Sequence, residues 1–541
     1  MSPLFMPSSP SRFSATRAGV LALFCAGVLL QGLSSNARAA TYYWDTNGTT
    51  SGFGTANGTW SSAGGTLWSG SSTGGADATL GTTITTTTSD ALNFGTSSAQ
   101  LATGTITVSG NVSANTITLV GSSSNITLSG GNITLGASSA ITMTNSANTN
   151  AITDTISSNI TLGATPTWTV NNGGSTGTAN LNVSGNILGG SYGLTKAGNG
   201  TLTLSGAANT WNGTSTVSAG TLTLSGSLTT NGKVAVNGSA NPVLNITGNL
   251  TSTEATQGAR SFQIAASAGN TGTVNVSGSG VLTLTGGGMM LGENGGGAAT
   301  FNQTGGNVSI TGSTSWMAGN GSTMNISGGS FSTGSQSFYI GGGSGNTTNT
   351  LTVNGTGTMS VGTLIFGQGA SAGNTTVTTV NIGDGTAGGN LSVTAVTVTG
   401  STGNHTINFN GGTFTANAAS VSISASSLLS TVVKSGGAIF NVLGSNTLTI
   451  SSNLTSNGTD GGLTKNGTGT LTLSGAGGNY TGITTVNAGT LTLGANQNLG
   501  AIAGAGALNL SSYTLTTNAT SNTTYSGVIS GTGALTKNGT S

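Results

Sequence analysis

A Thr-Leu-Thr-Leu tetrapeptide recurs at a spacing of 20 residues in two places, and that spacing limits what the chain can fold into. Leu202 and Leu204 are answered by Leu222 and Leu224, and Leu471 and Leu473 by Leu491 and Leu493. Threonine alternating with leucine makes a strand with its leucines on one face and its threonines on the other. One such strand per 20 residues, with glycines to allow sharp corners, is one coil of a β-solenoid. A single coil cannot bury its leucines, so it must stack on similar coils. The predicted fold class is all-β, an extended parallel β-helix.

The tetrapeptides belong to a longer repeat. Residues 193–225 and 462–494 agree at 22 of 33 positions, and a third copy opens at Ala534. Each full copy begins G-L-T-K-x-G-x-G-T-L-T-L-S-G. Each has an aromatic-x-Gly step, Trp211-Asn212-Gly213 or Tyr480-Thr481-Gly482, and closes on V-x-A-G-T-L-T-L. These motifs resemble the autotransporter-associated β-strand repeat, or passenger-associated transport repeat. The resemblance implies a right-handed β-helical passenger displayed on the surface of a Gram-negative-type bacterium. It further implies an outer-membrane translocation barrel as partner, its own or a separate one, and repeats that assist export. Ser541 interrupts the third copy, so the sequence reads as a fragment or a truncated protein.

Residues 1–39 read as a signal peptide. Arg12 and Arg17 form a basic start, 18–33 an apolar core, and Ala37-Arg38-Ala39 a small-x-small cleavage site. The single cysteine, Cys25, lies inside this segment, so the mature chain has none. A disulfide would close a loop in a chain that has to cross a pore unfolded, and here no such loop can form. The expected location is secreted or cell-surface.

Residues 40–79 hold Trp44, Trp60 and Trp68, half of the six tryptophans, with Tyr42, Tyr43 and Phe53. Two readings compete. In one, the three tryptophans are flat faces for stacking against a surface glycan. In the other, the rings cap the open end of the first coil and keep it from pairing with another chain.

From residue 80 to 541 the chain reads as solenoid. Ile106/Val108, Ile117/Leu119, Ile126/Leu128 and Ile133/Leu135 alternate with Thr or Ser, a pattern that a disordered Gly-rich linker lacks. A second coil style starts near Leu291. The apolar stretch 428–450 is interrupted by Lys434, Asn441 and Asn446, which favours buried coils over a membrane span. At roughly 20–25 residues per coil, about 20–25 coils would stack into a rod of about 100–120 Å.

Chemistry is sparse. The mature chain has six basic residues against eight acidic ones, a net charge of −2, and the basic residues are scattered, which excludes a nucleic-acid surface. Lys196, Lys465 and Lys537 occupy the same repeat position and read as solvated coil-edge lysines that discourage mispairing. His405 is the lone histidine, and no second histidine or cysteine completes a metal site. The closest carboxylates, Asp77 and Asp90, are less than one coil apart, so an enzyme is not expected and a polysaccharide-degrading β-helix is the weaker alternative. No cofactor is implied. Asp384 in a Gly-Asp-Gly step resembles one fragment of a calcium-binding repeat but occurs once. Thr-x-Thr runs at Thr83–Thr88 and Thr221–Thr223 suit a water-ordering face, against the plainer fact that threonine favours strands. The resulting reading is a structural or adhesive passenger that contacts matrix or surface glycan.

Overall fold

The computed structural model describes residues 39–541 apart from 122–124, 147–149, 175, 257, 294–296, 343–345 and 369–374. Apart from Ala39, the expected signal peptide lies outside the described residues.

Each coil supplies three short strands, and each strand pairs in parallel with its counterpart one coil further on. Thr201–Leu204, Asn209–Trp211 and Ser215–Val217 make one coil, and Thr221–Leu224, Ser227–Thr230 and Val234–Val236 the next. Thr201 stands beside Thr221, Asn209 beside Leu228, and Ser215 beside Val234. Three faces therefore run along the rod, named here first, second and third in that order. The architecture is a parallel β-solenoid of about 17 turns, without an α-helix among the described residues.

Alternation decides what is inside. In Thr201–Leu204 and Thr221–Leu224 the leucines are buried and the threonines half-exposed. Each buried leucine contributes about 1.5–3 kcal/mol, but only where a coil above and a coil below close the core over it. The stretch 428–450 is one such coil, with Leu429–Val433, Ala438–Val442 and Thr447–Ile450 on three faces. Among the described residues no helix is long and apolar enough to cross a membrane.

The turn number corrects the expected 20–25 coils. Coils between the two close repeats are longer: Asn245 pairs with Asn275, 30 residues on, and Asn275 with Asn302, 27 on. The added residues sit at corners, where they leave the strand register intact. About 17 turns at roughly 4.8 Å each give a rod of about 80 Å.

At the N-terminal end, Thr41–Trp44 runs antiparallel to Trp68–Ser69 and parallel to Ala91–Phe94. The threonine run Thr83–Thr88 forms no regular strand; Ile84 makes a single antiparallel bridge to Gly65, and Thr86 is buried.

A carboxyl group enters the core in Ile152–Ile156. Asp154 points inward between Ile152 and Ile156, and its Oδ1 accepts the N–H of Ile126 one coil back at 2.8 Å. Burial pushes its pKa up to about 7. The folded chain thus holds this proton more tightly than the unfolded chain, whose carboxyl titrates near 3.8. Its stabilising effect is complete below that value and is lost as the pH rises towards 7. Melting temperature measured from pH 4 to pH 8 is expected to fall across this window. Asp154→Asn, which cannot ionise, is expected to flatten that slope; an unchanged slope would show that other groups cause it.

Candidate functional site

The three tryptophans that one of the two readings makes a sugar platform lie in the core. Trp44, Trp60 and Trp68 are buried. Trp68 meets Trp44 edge-on at 5.0 Å and Trp60 edge-on at 5.8 Å, and Phe94 packs against all three. Trp60 Nε1 donates to Thr86 Oγ1 at 3.0 Å, and Trp44 Nε1 to the carbonyl of Asn57 at 3.3 Å. Stacking on a sugar needs an open ring face, and these rings turn theirs to one another. Apolar payload outweighs the single polar atom of each indole, so the rings go inside.

A different aromatic pair faces outward. Trp316 and Tyr339 stand side by side on the third face, half-exposed, their rings stacked at 4.0 Å and 10°. Sequence reasoning passed over them. The signal was there, because Ser315 and Met317 point inward around Trp316, and Phe338 and Ile340 do so around Tyr339. Each ring covers one face of the other, and the pair forms a rung of the rod surface.

The repeat holds the most specific polar geometry. Lys196 and Lys465 are not solvated edge residues: both are fully buried. In the strand Leu194–Ala197, Leu194 and Lys196 share the inward face, and Leu463 and Lys465 do the same in Leu463–Asn466. Lys196 Nζ donates to the carbonyls of Ala197 at 2.8 Å, Gly198 at 2.9 Å and, one coil on, Ala219 at 3.1 Å. Lys465 Nζ repeats this on Asn466 at 2.9 Å, Gly467 at 2.7 Å and Ala488 at 3.1 Å. Gly198 and Gly467 sit at φ +74° and +75°, left-handed values that turn the corner. An ammonium has three N–H groups, and three carbonyls satisfy all of them.

Desolvation draws both lysines down to a pKa of about 8. The carbonyl tripod acts in the opposite sense, because a neutral amine has only two N–H groups to give. Each lysine therefore stays cationic at neutral pH and ties its own corner to the next coil. Lys537, at the same repeat position, lies on the last strand, Leu535–Gly539, and is exposed; no described coil stacks on that strand.

The aromatic step is equally regular. Trp211 Nε1 donates to Ser215 Oγ at 2.7 Å, and the Tyr480 hydroxyl bonds Thr484 Oγ1 at 3.0 Å, both four residues on and both buried. Burial holds the Tyr480 hydroxyl well above its usual pKa, so it stays protonated. The glycine of the step is set by crowding. A Cβ on Gly213 would collide with the backbone of Gly193, and one on Gly482 with that of Gly462, because the two coils touch at this corner.

The same two repeats stand on different faces of the rod. Lys196 lies on the third face, in the row that runs from Thr167–Asn171 to Ser215–Val217. Lys465 lies on the second, in the row that continues Thr413–Ala416 and Ala438–Val442. The geometry is thus a property of the repeat and not of a place in the rod.

The remaining sequence candidates are structural. His405 is buried, with Nδ1 2.9 Å from Thr378 Oγ1 and its ring beside Phe366; burial lowers its pKa and keeps it neutral. Asp384 accepts the N–H groups of Ala387 and Thr386 within its own turn, and the amide of Asn354, so its oxygens are committed locally. Among the described residues no three His, Cys, Asp or Glu side chains gather as metal ligands. Lys233, Arg260 and Glu293 line one shallow groove on the third face, where Arg260 and Glu293 form an ion pair.

Two substitutions, each paired with a control, test this geometry. Lys465→Met takes the ammonium donors away from three carbonyls and is expected to cost about 1–3 kcal/mol, read as a lower denaturant midpoint. Lys434→Met, which loses only an exposed bond to Asn457, is expected to stay within about 0.5 kcal/mol of the parent. Gly482→Ala is expected to destabilise by about 1–3 kcal/mol through overpacking, whereas Gly458→Ala, where a Cβ meets open space, is tolerated.

Comparison with known proteins agrees with this division of the chain. A family model described as passenger-associated-transport-repeat matches residues 194–224 and 463–493, the two stretches that carry the lysine tripod and the aromatic step. No curated protein and no solved structure matches the chain. The chain is therefore a parallel β-solenoid that carries two passenger-associated-transport-repeats.

Proposed function

We propose that this chain is the passenger of an autotransporter-like system: a rod exported through an outer-membrane barrel and displayed at the cell surface, serving as a structural spacer. The observation that carries the reading is the lysine tripod, whose third carbonyl arrives only when the next coil docks. Before docking, the ammonium keeps its water; afterwards it is dehydrated and fixed. Such a contact rewards adding coils in order, which suits a chain that leaves a pore from one end. The lack of cysteine between residues 39 and 541 supports the same reading, since no disulfide can close ahead of transit. The aromatic cluster around Trp68 fits an end cap that shields the first coils. The repeats would then assist export by making folding outside the barrel favourable step by step.

The test is expression of the full-length protein in a Gram-negative host, followed by protease treatment of intact cells. The expected result is digestion of surface rod without lysis, together with less surface-exposed protein for Lys465→Met than for Lys434→Met. Protein that is protected in intact cells and found only in the cytoplasm would contradict the reading.

A further inference from the structure

The outward side of the first face carries two columns of unlike residues, sorted more sharply than composition requires. Over six successive coils one column reads Thr273, Thr300, Thr323, Thr350, Thr379 and Thr406. The column two residues on reads Asn275, Asn302, Asn325, Thr352, Asn381 and Asn408. The neighbouring second face has one hydroxyl column, Thr283, Ser309, Ser332, Ser360, Ser392 and Thr415, mostly serine, beside a mixed column of Val281, Asn307, Ser330, Thr358 and Asn390. The third face carries Gln263, Met290, Trp316 and Tyr339 instead.

The columns are rigid. Asn302 Nδ2 donates to Asn275 Oδ1 at 3.0 Å, Asn325 to Asn302 at 3.1 Å, and Asn408 to Asn381 at 2.8 Å. Asn381 Nδ2 donates to Thr352 Oγ1, the one threonine in its column, at 3.2 Å. Threonine is stiff at χ1. Side-chain ladders of this kind also hold a sheet flatter than its natural twist, and pairing is unbroken across both columns on all six strands. The grid spacing follows from strand geometry: about 4.8 Å along the rod and about 6.5 Å across it, two residues at roughly 3.3 Å each.

We propose that this Thr/Asn face binds the surface of ice. A compact ligand needs groups that converge on it, whereas these diverge from a plane and repeat. The matching partner is itself a lattice that repeats in two directions, is uncharged, and both donates and accepts hydrogen bonds. Surface water in ice has these properties, with an oxygen spacing near that of adjacent strands. No position in either column is charged, so no ionic hydration shell competes with the lattice. Each threonine presents a methyl beside a hydroxyl, and each ladder asparagine has spent one N–H on its neighbour while Asn275, Asn302 and Asn381 also accept once at Oδ1, which leaves the second N–H and a lone pair for water. Many weak contacts formed on an already ordered surface add without a fresh ordering cost at each one.

The experiment measures thermal hysteresis and inhibition of ice recrystallisation by the full chain. Thr300→Tyr/Thr323→Tyr/Thr350→Tyr is compared with Ser309→Tyr/Ser332→Tyr/Ser360→Tyr on the second face, circular dichroism confirming that both fold. The expected result is activity in the parent and in the second-face variant, with the first-face variant needing about tenfold more protein or more for the same inhibition. Inactive parent protein overturns the proposal, as does equal activity or equal loss in the two folded variants. Sedimentation with crystalline cellulose and chitin is the third measurement. Binding to them through the first face without effect on ice would replace ice with a crystalline polysaccharide and overturn the assignment.

Discussion

Everything in this rod depends on parallel, in-register stacking of one coil on the next. A lone coil exposes its leucines on both sides and leaves its backbone amides unpaired between coils. Stacking solves both problems at once, because the alternation that points Leu202 inward also sets it beside Leu222. Register is therefore the quantity the sequence protects. Coil lengths vary, from 17 residues between Thr490 and Ala507 to 32 between Thr358 and Asn390, and the extra residues are confined to corners. A one-residue slip inside a strand would move its whole apolar set to the outside.

Within that frame the passenger-associated-transport-repeats are the places where coils are fastened by more than leucines. A buried ammonium with only carbonyls for company is an unusual use of a charge. It survives because the left-handed glycine turns two carbonyls of its own corner toward it while the next coil provides the third. The aromatic step lies one coil further on, where a buried ring bonds a hydroxyl four residues away and a glycine lets the backbones touch. These features make the repeat a self-contained two-coil unit, which explains how it serves equally on the third face at Lys196 and on the second at Lys465.

The fold was legible in the sequence because its signal is periodic. Thr-Leu-Thr-Leu at a fixed offset specifies strand, face and stacking together, and the structure places those leucines accordingly. The number of coils was harder to read, since corner insertions follow no period. The lysine was misread for a different reason: general expectation places lysine in water, and that outweighed the alternation of Leu194 and Lys196, which put both on one side. The same neglect of parity hid Trp316 and Tyr339, while richness in tryptophan drew attention to Trp44, Trp60 and Trp68, which are core. In a solenoid, the side of the strand on which a residue falls says more than its chemical type.

The buried ammonium is the claim on which the account of the repeat rests, and the exchange of its protons with water tests it most directly. Lysine ammonium protons in solvent exchange too fast to be seen near neutral pH, whereas those held by three carbonyls inside a folded corner are shielded. Nitrogen-15 spectra of the lysine side chains are expected to show slowly exchanging ammonium signals from two of the five lysines, Lys196 and Lys465, and fast exchange from Lys233, Lys434 and Lys537. Fast exchange from all five would mean that the tripod does not form in solution and that leucine stacking alone joins these coils.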